Sequence, residues 1–282
     1  MKSSIFAAAL SLSAFAAGLS SDDDVSTIKV VGGEDAGASD FRFIVSIEST
    51  IEGEEGHYCG GTLMNEWTVL TAAHCLVGEN AGSTQVRAGH RVRNTGGVTV
   101  GVTSFWRHPK YNSTTTENDI ALIELDEPIE KTKNITYATL AAPKNDPKAG
   151  LNVTVAGWGH TKEDGDLAVN LQKASFAVVA RDECRKKLKS PVTNDMFCAG
   201  TPAGGIDSCQ GDSGGPLINA ENGNVIGVVS WGYGCARADS PGVYARVGYF
   251  REQINAEAWY PANKKRWMPF SMHNRAVKGL SQ

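Results

Sequence analysis

Three short motifs in this chain hold side chains that together could perform nucleophilic catalysis. The motif DSCQGDSGGP places Ser213 between glycines and directly after an aspartate. The motif TAAHC contains His74, and the motif NDIAL contains Asp119. A serine hydroxyl is a weak nucleophile until a neighbouring base removes its proton. The three motifs therefore supply a nucleophile, a base and a carboxylate that could orient the base.

The order of the three residues is His74, Asp119, Ser213, which is one of the orders known for serine-protease triads. Together the motifs resemble the trypsin/chymotrypsin family, and the resemblance extends from Val30 to about Ala258. It implies that Ser213 attacks the substrate carbonyl and that His74 acts as the general base. Asp119 would hold the imidazole in the correct tautomer.

The resemblance also assigns groups that bind the substrate. The backbone N–H groups of Gly211 and Ser213 would form the oxyanion hole. Asp207 lies six residues before Ser213, where the family has the floor of its primary pocket, and a carboxylate there would pair with Arg or Lys. Two wall glycines would leave room for a long side chain. The predicted substrate-binding residues are Asp207, Ser208, Ser230, Trp231, Gly232 and Gly242.

A possible activation junction lies where the resemblance begins. Lys29 precedes the segment VVGG, which resembles the junction that the family cleaves. Cleavage after Lys29 would free the α-amino group of Val30. In the family this ammonium pairs with the aspartate before the nucleophile, here Asp212. Because a buried ion pair is costly when only half formed, the resemblance predicts a zymogen that cleavage activates.

The N-terminal segment has the pattern of a secretory leader. Lys2 precedes the apolar run 5–17, and residues 14–16 fit a small-x-small cleavage signal. We predict a signal peptide over residues 1–16, with a buried helix as the alternative. Residues 17–29 are short and acidic, which is typical of a propeptide. No other apolar run reaches about 18 residues, so we expect a secreted, extracellular protein without a membrane anchor.

The chain has six cysteines, and an even number after a signal peptide predicts disulfides. A zinc site is the alternative, but the chain lacks the C-x-x-C spacing that such sites commonly use. The residues alone leave the pairing open. The family resemblance selects the pairs Cys59–Cys75, Cys184–Cys198 and Cys209–Cys235.

Short strand-forming runs separated by Gly, Asn and Asp predict an all-β domain, although periodicity does not choose between barrel and sandwich. The runs are 43–47, 68–71, 98–100, 120–123, 153–158, 175–179 and 225–230, and helices are predicted at 181–188 and 248–259. The resemblance implies two six-stranded antiparallel β-barrels and a C-terminal helix. The peptidase domain would cover residues 30–258 and divide near 140–146.

Charge and ligand chemistry restrict the partners. The net charge of −4 argues against a nucleic acid. Calcium needs six or more oxygen ligands, and the loop after Gly89 has no carboxylate, so we expect no metal and no cofactor. The expected partners are proteins or peptides cleaved after Arg or Lys, and protein protease inhibitors. We expect a monomer that does not bind membranes.

Several features lie outside the resemblance. The extension 259–282 is basic, and either disorder or binding to an acidic partner fits its composition. Sequons predict a glycoprotein, and Asn152 is the poorest acceptor because it borders a buried strand. The other histidines have no catalytic context, so we expect them at the surface. The sequons are at Asn112, Asn134 and Asn152, and these histidines are His57, His90, His108, His160 and His273.

Two further observations bear on the subgroup and on rival functions. Three disulfides and the segment DFRFIVSI look most like the secreted trypsins of filamentous fungi. The main rival to an enzyme is a catalytically silent family member that serves as a binding scaffold. Such a protein usually lacks a triad residue, whereas this chain keeps all three. A third possibility is an interaction protein that acts through the basic extension.

Overall fold

The computed structural model describes residues 31–259, which form thirteen strands and two α-helices. The strands are β1 (Glu34–Asp35), β2 (Ile44–Ser49), β3 (Gly56–Asn65), β4 (Thr68–Thr71), β5 (Thr84–Ala88), β6 (Val98–Arg107), β7 (Ala121–Leu125), β8 (Asn152–Gly157), β9 (Gln172–Val179), β10 (Met196–Gly200), β11 (Pro216–Asn219), β12 (Val225–Trp231) and β13 (Gly242–Arg246). The helices are α1 (Arg181–Leu188) and α2 (Val247–Glu257).

The strands form two closed antiparallel barrels, as the resemblance implied. The first barrel has the order β2-β3-β4-β7-β6-β5 and closes where β5 pairs with β2. The second has the order β9-β10-β13-β12-β11-β8 and closes where β8 pairs with β9. The short strand β1 adds to the outside of β9. Closure leaves neither barrel with a free edge strand.

Period-two patterning in the strands explains which side chains enter the barrels. In β5, Thr84, Val86 and Ala88 are buried, whereas Gln85 and Arg87 are only partly buried. Successive side chains of a strand point to opposite faces of the sheet, so one face of β5 enters the core and the other carries polar groups. Apolar side chains with less than 2% exposure fill the barrels, including Ile47, Leu63, Leu70, Leu122, Ile123, Tyr244 and Phe250.

All seven predicted runs overlap an observed strand, but β1, β3, β5, β10, β11 and β13 had no prediction. In β3, glycines weaken the strand pattern. A Cβ added to Gly60 would lie 2.9 Å from the Cα of Gly215. Glycine therefore stands at residue 60 because the turn after Ser213 packs directly on this strand. Helix α1 has its predicted bounds, and α2 begins one residue earlier and ends two residues earlier than expected.

The cysteines form three disulfides with the pairing that the resemblance implied: Cys59–Cys75, Cys184–Cys198 and Cys209–Cys235. Each closes a short loop, with sequence separations of 16, 14 and 26 residues respectively. Loops of these lengths each stabilise the fold by about 3 kcal/mol, mainly by restricting the unfolded chain. One of them fixes the turn that carries His74, and another joins the two sides of the predicted pocket.

The predictions for the signal peptide, the propeptide, Lys29, Val30 and most of the basic extension lie outside the described residues. Within residues 31–259, no helix is long and apolar enough to cross a membrane. The predicted division near 140–146 lies in the connection between β7 and β8.

Candidate active site

His74 and Asp119 are joined by two hydrogen bonds. His74 begins a short 3₁₀ turn that follows β4. Its Nδ1–H donates to Asp119 Oδ2 at 2.7 Å, and its backbone N–H donates to Asp119 Oδ1 at 2.9 Å. The side chain of Asp119 is 1% exposed, whereas that of His74 is 28% exposed. The structure therefore holds the imidazole by one edge and leaves part of the ring accessible.

Ser230 is a third partner in this arrangement, and the sequence did not indicate that contact. Its hydroxyl donates to Asp119 Oδ2 at 2.6 Å. The family resemblance places Ser230 in the pocket wall, and Ser230 does line the pocket. Its hydroxyl nevertheless comes from the second barrel and binds an acid of the first. Buried carboxylates need such donors, because an unpaired buried charge is expensive.

Ser213 lies in a tight turn whose glycines cannot be replaced without collision. Gly211 has a φ of +91°, and a Cβ there would lie 2.6 Å from the side chain of Leu167. Gly214 has a φ of +77°, and a Cβ there would lie 2.1 Å from Thr71 Oγ1 and 3.2 Å from Cys75 Sγ. The turn after Ser213 therefore packs on the segment that carries His74, which places Ser213 near the pair of His74 and Asp119.

Asp212 is completely buried beneath this turn. Its carboxylate accepts backbone N–H groups from Gly159 at 2.8 Å and Cys209 at 2.9 Å. Burial raises the pKa of Asp212 to about 6, against the opposing effect of these hydrogen bonds. A Cβ on Gly159 would lie 2.5 Å from Asp212 Cγ, and one on Gly157 would lie 2.1 Å from Asp212 Oδ1. These two glycines had no predicted role, and they surround the carboxylate.

A pocket of about 190 Å³ opens beside Ser213, and it is lined by all six predicted substrate-binding residues. Asp207 lines it and is 5% exposed. Its carboxylate accepts from the backbone N–H groups of Ser208 at 2.8 Å and Ala236 at 3.3 Å. Burial raises the pKa of Asp207 to about 7. A cation that entered the pocket would favour the charged form of this group.

The two predicted wall glycines, Gly232 and Gly242, border the pocket. A Cβ on Gly242 would lie 3.0 Å from Asp207 Oδ1 and 3.1 Å from the Tyr244 hydroxyl. A Cβ on Gly232 would face Gly242 across the pocket, 3.9 Å from its Cα. Larger residues at these positions would fill the space that a long side chain needs.

Comparison with known proteins agrees with this geometry. The family model described as Trypsin matches residues 30–254. A trypsin of Saccharopolyspora erythraea is 42% identical over 235 residues, which cover 81% of this chain and 100% of that protein. Trypsin-1 of Astacus astacus is 39% identical over 238 residues, covering 81% and 100%. Trypsin eta of Drosophila erecta is 38% identical over 230 residues, covering 80% and 88%.

The chain belongs to the trypsin family. It is accordingly a serine endopeptidase that acts on protein substrates. The relatives above come from a bacterium, a crustacean and an insect, so a specific similarity to the trypsins of filamentous fungi is not shown.

Three of the remaining histidines of this trypsin-family chain are buried, and their expected surface placement is wrong. His57 is 7% exposed, His90 is 8% exposed and His108 is 5% exposed. His57 Nε2 donates to the carbonyl of Gly211 at 2.8 Å, while its Nδ1 accepts from the Ser46 hydroxyl at 2.8 Å. Burial lowers the pKa of His57 to about 4, so the ring is neutral near pH 7. Through its hydrogen bond to Gly211, His57 supports the turn before Ser213.

The loop that follows Gly89, where we expect no calcium site, is held by a clamp that Arg87 forms. Arg87 donates to the carbonyl of Gly96 at 3.0 Å and to both oxygens of Glu48, at 2.8 and 3.0 Å. Among residues 31–259, the cluster closest to metal-ligand geometry is Cys59, His74 and Cys75. Its two cysteines form a disulfide, so they have no thiolates to offer a metal.

Proposed function

We propose that this endopeptidase cleaves peptide bonds after Arg and Lys through a triad of His74, Asp119 and Ser213. The observation that carries the proposal is the buried Asp207 carboxylate in the pocket beside Ser213. A carboxylate with few other charges near it binds a desolvated cation more strongly than it binds a neutral side chain. The proposed mechanism and its regulation follow from the surrounding contacts.

In the proposed acylation step, Ser213 Oγ forms a bond to the substrate carbonyl carbon while its proton passes to His74. The carbonyl oxygen becomes an oxyanion, which accepts from the N–H groups of Gly211 and Ser213. When the carbon–nitrogen bond breaks, His74 returns the proton to the leaving amine, and an acyl-enzyme remains. Water then attacks the acyl-enzyme with the same proton transfers and releases Ser213.

Asp119 and Ser230 support the proposed role of His74. Asp119 accepts from Nδ1–H, which leaves Nε2 as the basic nitrogen and stabilises the imidazolium that forms. The Ser230 hydroxyl on the same carboxylate oxygen limits the positions that Asp119 can take. This arrangement supports general-base catalysis at a geometry that is set before the substrate binds.

We further propose that the enzyme is secreted as a zymogen and activated by cleavage after Lys29. Three disulfides support an oxidising compartment. The chain just after the junction packs beside the pocket, because Val31 O accepts from Asp207 N at 3.3 Å and Gly32 contacts the carbonyl of Gly205. Val30 itself lies outside the described residues. An ammonium there would supply Asp212 with a cation.

Turnover of peptide amides tests the proposal. We would compare the activated enzyme on matched substrates with Arg, Lys or Leu before the scissile bond. We expect strong preference for Arg and Lys, and Ser213→Ala should lower kcat by several orders of magnitude. Thermal unfolding of the Ser213→Ala protein serves as the folding control. Near-normal turnover by that variant would exclude the triad, and equal turnover of the Leu substrate would exclude the specificity.

A further inference from the structure

Besides the contact of Ser230 with Asp119, two polar contacts join the loop before Asp119 to the second half of the chain. The backbone N–H of Asn118 donates to Asp195 Oδ2 at 2.7 Å. At the start of the same loop, His108 Nε2 donates to Gln253 Oε1 on helix α2 at 3.0 Å. Both contacts join residues of the first barrel's connection between β6 and β7 to residues of the second half of the chain.

Asp195 is firmly attached to the second barrel. It is 6% exposed and directly precedes strand β10. Its carbonyl accepts from Arg246 N at 2.7 Å, next to the pair that β10 forms with β13. Its second carboxylate oxygen accepts a short hydrogen bond from the Thr193 hydroxyl. The oxygen that binds Asn118 is therefore fixed by backbone and side-chain contacts within the second barrel.

Asn118 has a strained backbone that sets the direction of Asp119. Its φ is +58°, in the left-handed region that costs most residues energy and that Asn tolerates. Its carbonyl accepts from Ile120 N at 2.9 Å, and its side chain donates to the carbonyl of Lys110 at 3.0 Å. The turn around Asp119 is therefore tight, and the N–H of Asn118 links its backbone to the second barrel.

We propose that Asp195 is a positioning residue for the triad acid: it holds the left-handed turn at Asn118 so that Asp119 meets His74 in the correct orientation. This inference rests on the proposed function, because it needs Asp119 to orient the general base. Ser230 fixes the Asp119 carboxylate from the second barrel, and Asp195 fixes the backbone that carries it from the same side. The position of the base is then set across the interface between the barrels.

The test compares Asp195→Asn with Asp195→Leu. An asparagine keeps an oxygen that accepts from Asn118 N and an amide that can face Thr193, whereas leucine has a similar shape and no acceptor. We expect the Leu variant to lose kcat by about tenfold or more, since small displacements of catalytic groups have effects of this size. KM should stay within about twofold of that of the parent enzyme, because the pocket around Asp207 is not altered.

Rescue by asparagine separates positioning from a merely structural role. We expect Asp195→Asn to keep kcat within about threefold of the parent enzyme. Active-site titration gives kcat per competent enzyme, and Asp195→Ala replaces the Leu variant if that protein does not fold. The matched control is Asp146→Asn, which removes a carboxylate paired with Arg181 and Arg246 at 2.7 Å. It should lower the melting temperature and leave kcat unchanged.

Parent-like kcat in Asp195→Leu would overturn the inference, and so would equal losses in the Leu and Asn variants. If KM rises and kcat does not fall, Asp195 acts on the pocket and the inference is also wrong. The Ser213→Ala variant is assayed in parallel. Activity in that variant would contradict the proposed function itself, whereas an inactive Ser213→Ala with a fully active Asp195→Leu would contradict only the positioning role.

Discussion

Three buried aspartates belong to the proposed site, and the groups that contact them differ. Asp119 accepts from an imidazole and a hydroxyl. Asp207 and Asp212 accept from backbone N–H groups, and burial raises their pKa values to about 7 and about 6. A carboxylate with a raised pKa gains most from a cation beside it. We therefore expect Asp207 to bind the substrate's cation and Asp212 to bind the ammonium of Val30.

Inhibition by an arylamidine should depend on the charge of Asp207. The cation binds the ionised carboxylate, and Asp207 is protonated below its pKa of about 7. As the pH falls below that value, each binding event must release a proton, so Ki should rise by up to about tenfold per pH unit. Above pH 7 the Ki should level off. In the Asp207→Asn control, binding should be weak and nearly independent of pH, and a flat parent profile down to pH 5 would contradict this prediction.

At the scale of elements, glycines and one ion pair hold the loops that carry the site. The strand β8 and the segment after it approach Asp212 through Gly157 and Gly159. The clamp between Glu48 and Arg87 joins β2 to β5 and reaches the loop after Gly89. Both devices hold their segments through direct contacts within the protein.

We expect Gly159→Ala to lower turnover strongly while the protein remains folded. The new methyl would lie 2.5 Å from Asp212 Cγ, so the carboxylate must move, and the turn at Gly211 and Ser213 must move with it. Turnover should fall at least about tenfold. The control is Gly150→Ala, where a Cβ meets nothing within 4 Å although φ is +85°. Gly159 lacks the left-handed φ of Gly150, so equal effects of the two substitutions on kcat would contradict collision with Asp212 as the cause.

Glu48→Gln should destabilise the first barrel by about 3 kcal/mol, because it leaves the guanidinium of Arg87 without its buried counter-charge. Burial opposes ionisation of Glu48, but hydrogen bonds from Arg87 and Gln85 hold its pKa below the usual value. The pair's stabilisation is therefore present above the unfolded glutamate pKa of about 4.3 and is lost as the pH falls through the lower folded value. Urea unfolding at pH 7 and pH 3 should show a smaller difference between variant and parent at pH 3 than at pH 7.

The matched control for this clamp is Glu163→Gln, which breaks an exposed pair with Arg237. Exposed ion pairs contribute little, so the unfolding midpoint should not change measurably. A calcium chelator should also leave the parent's melting temperature unchanged, because the loop after Gly89 has no carboxylate. A clear drop in melting temperature with chelator would contradict this expectation and indicate a metal site elsewhere in the protein.

At the scale of the whole molecule, the proposed site exists only where the two barrels meet. The first barrel supplies His74 and Asp119, and the second supplies Ser213, Ser230 and the pocket around Asp207. The chain after the activation junction packs against the second barrel through Val31. We therefore expect cleavage after Lys29 to affect the pocket and the nucleophile together.

A Lys29→Gln precursor should remain uncleaved at that junction and nearly inactive, because Val30 then has no ammonium to offer Asp212. In the cleaved enzyme, pairing with the carboxylate should raise the pKa of the Val30 amine above its usual value of roughly 7.7–8.0. The pair's stabilisation is fully present below the unfolded value and is lost as pH rises through the folded one. Activity should fall on that alkaline side. Mass spectrometry checks whether residue 29 is still attached to the variant. Full activity of an uncleaved Lys29→Gln precursor would exclude this switch.

The sequence by itself indicated the candidate catalytic and pocket residues and the class of the fold. The residues of the predicted triad and pocket sit in short motifs, where neighbouring residues and glycines dictate the local turn. Short strand-forming runs separated by Gly, Asn and Asp predicted an all-β chain for the same local reason. Resemblance to the family then supplied the barrels and the disulfide pairing, which periodicity alone had left open.

Only the tertiary structure decided which distant side chains meet. Ser230 reaches Asp119 across 111 residues, and Asp195 reaches Asn118 across 77. Histidines without a motif looked like surface residues, yet His57 is buried because packing of the two barrels places it between Ser46 and Gly211. Such contacts leave no local pattern. They arise when two closed sheets pack together, and burial then requires each polar group to find a partner.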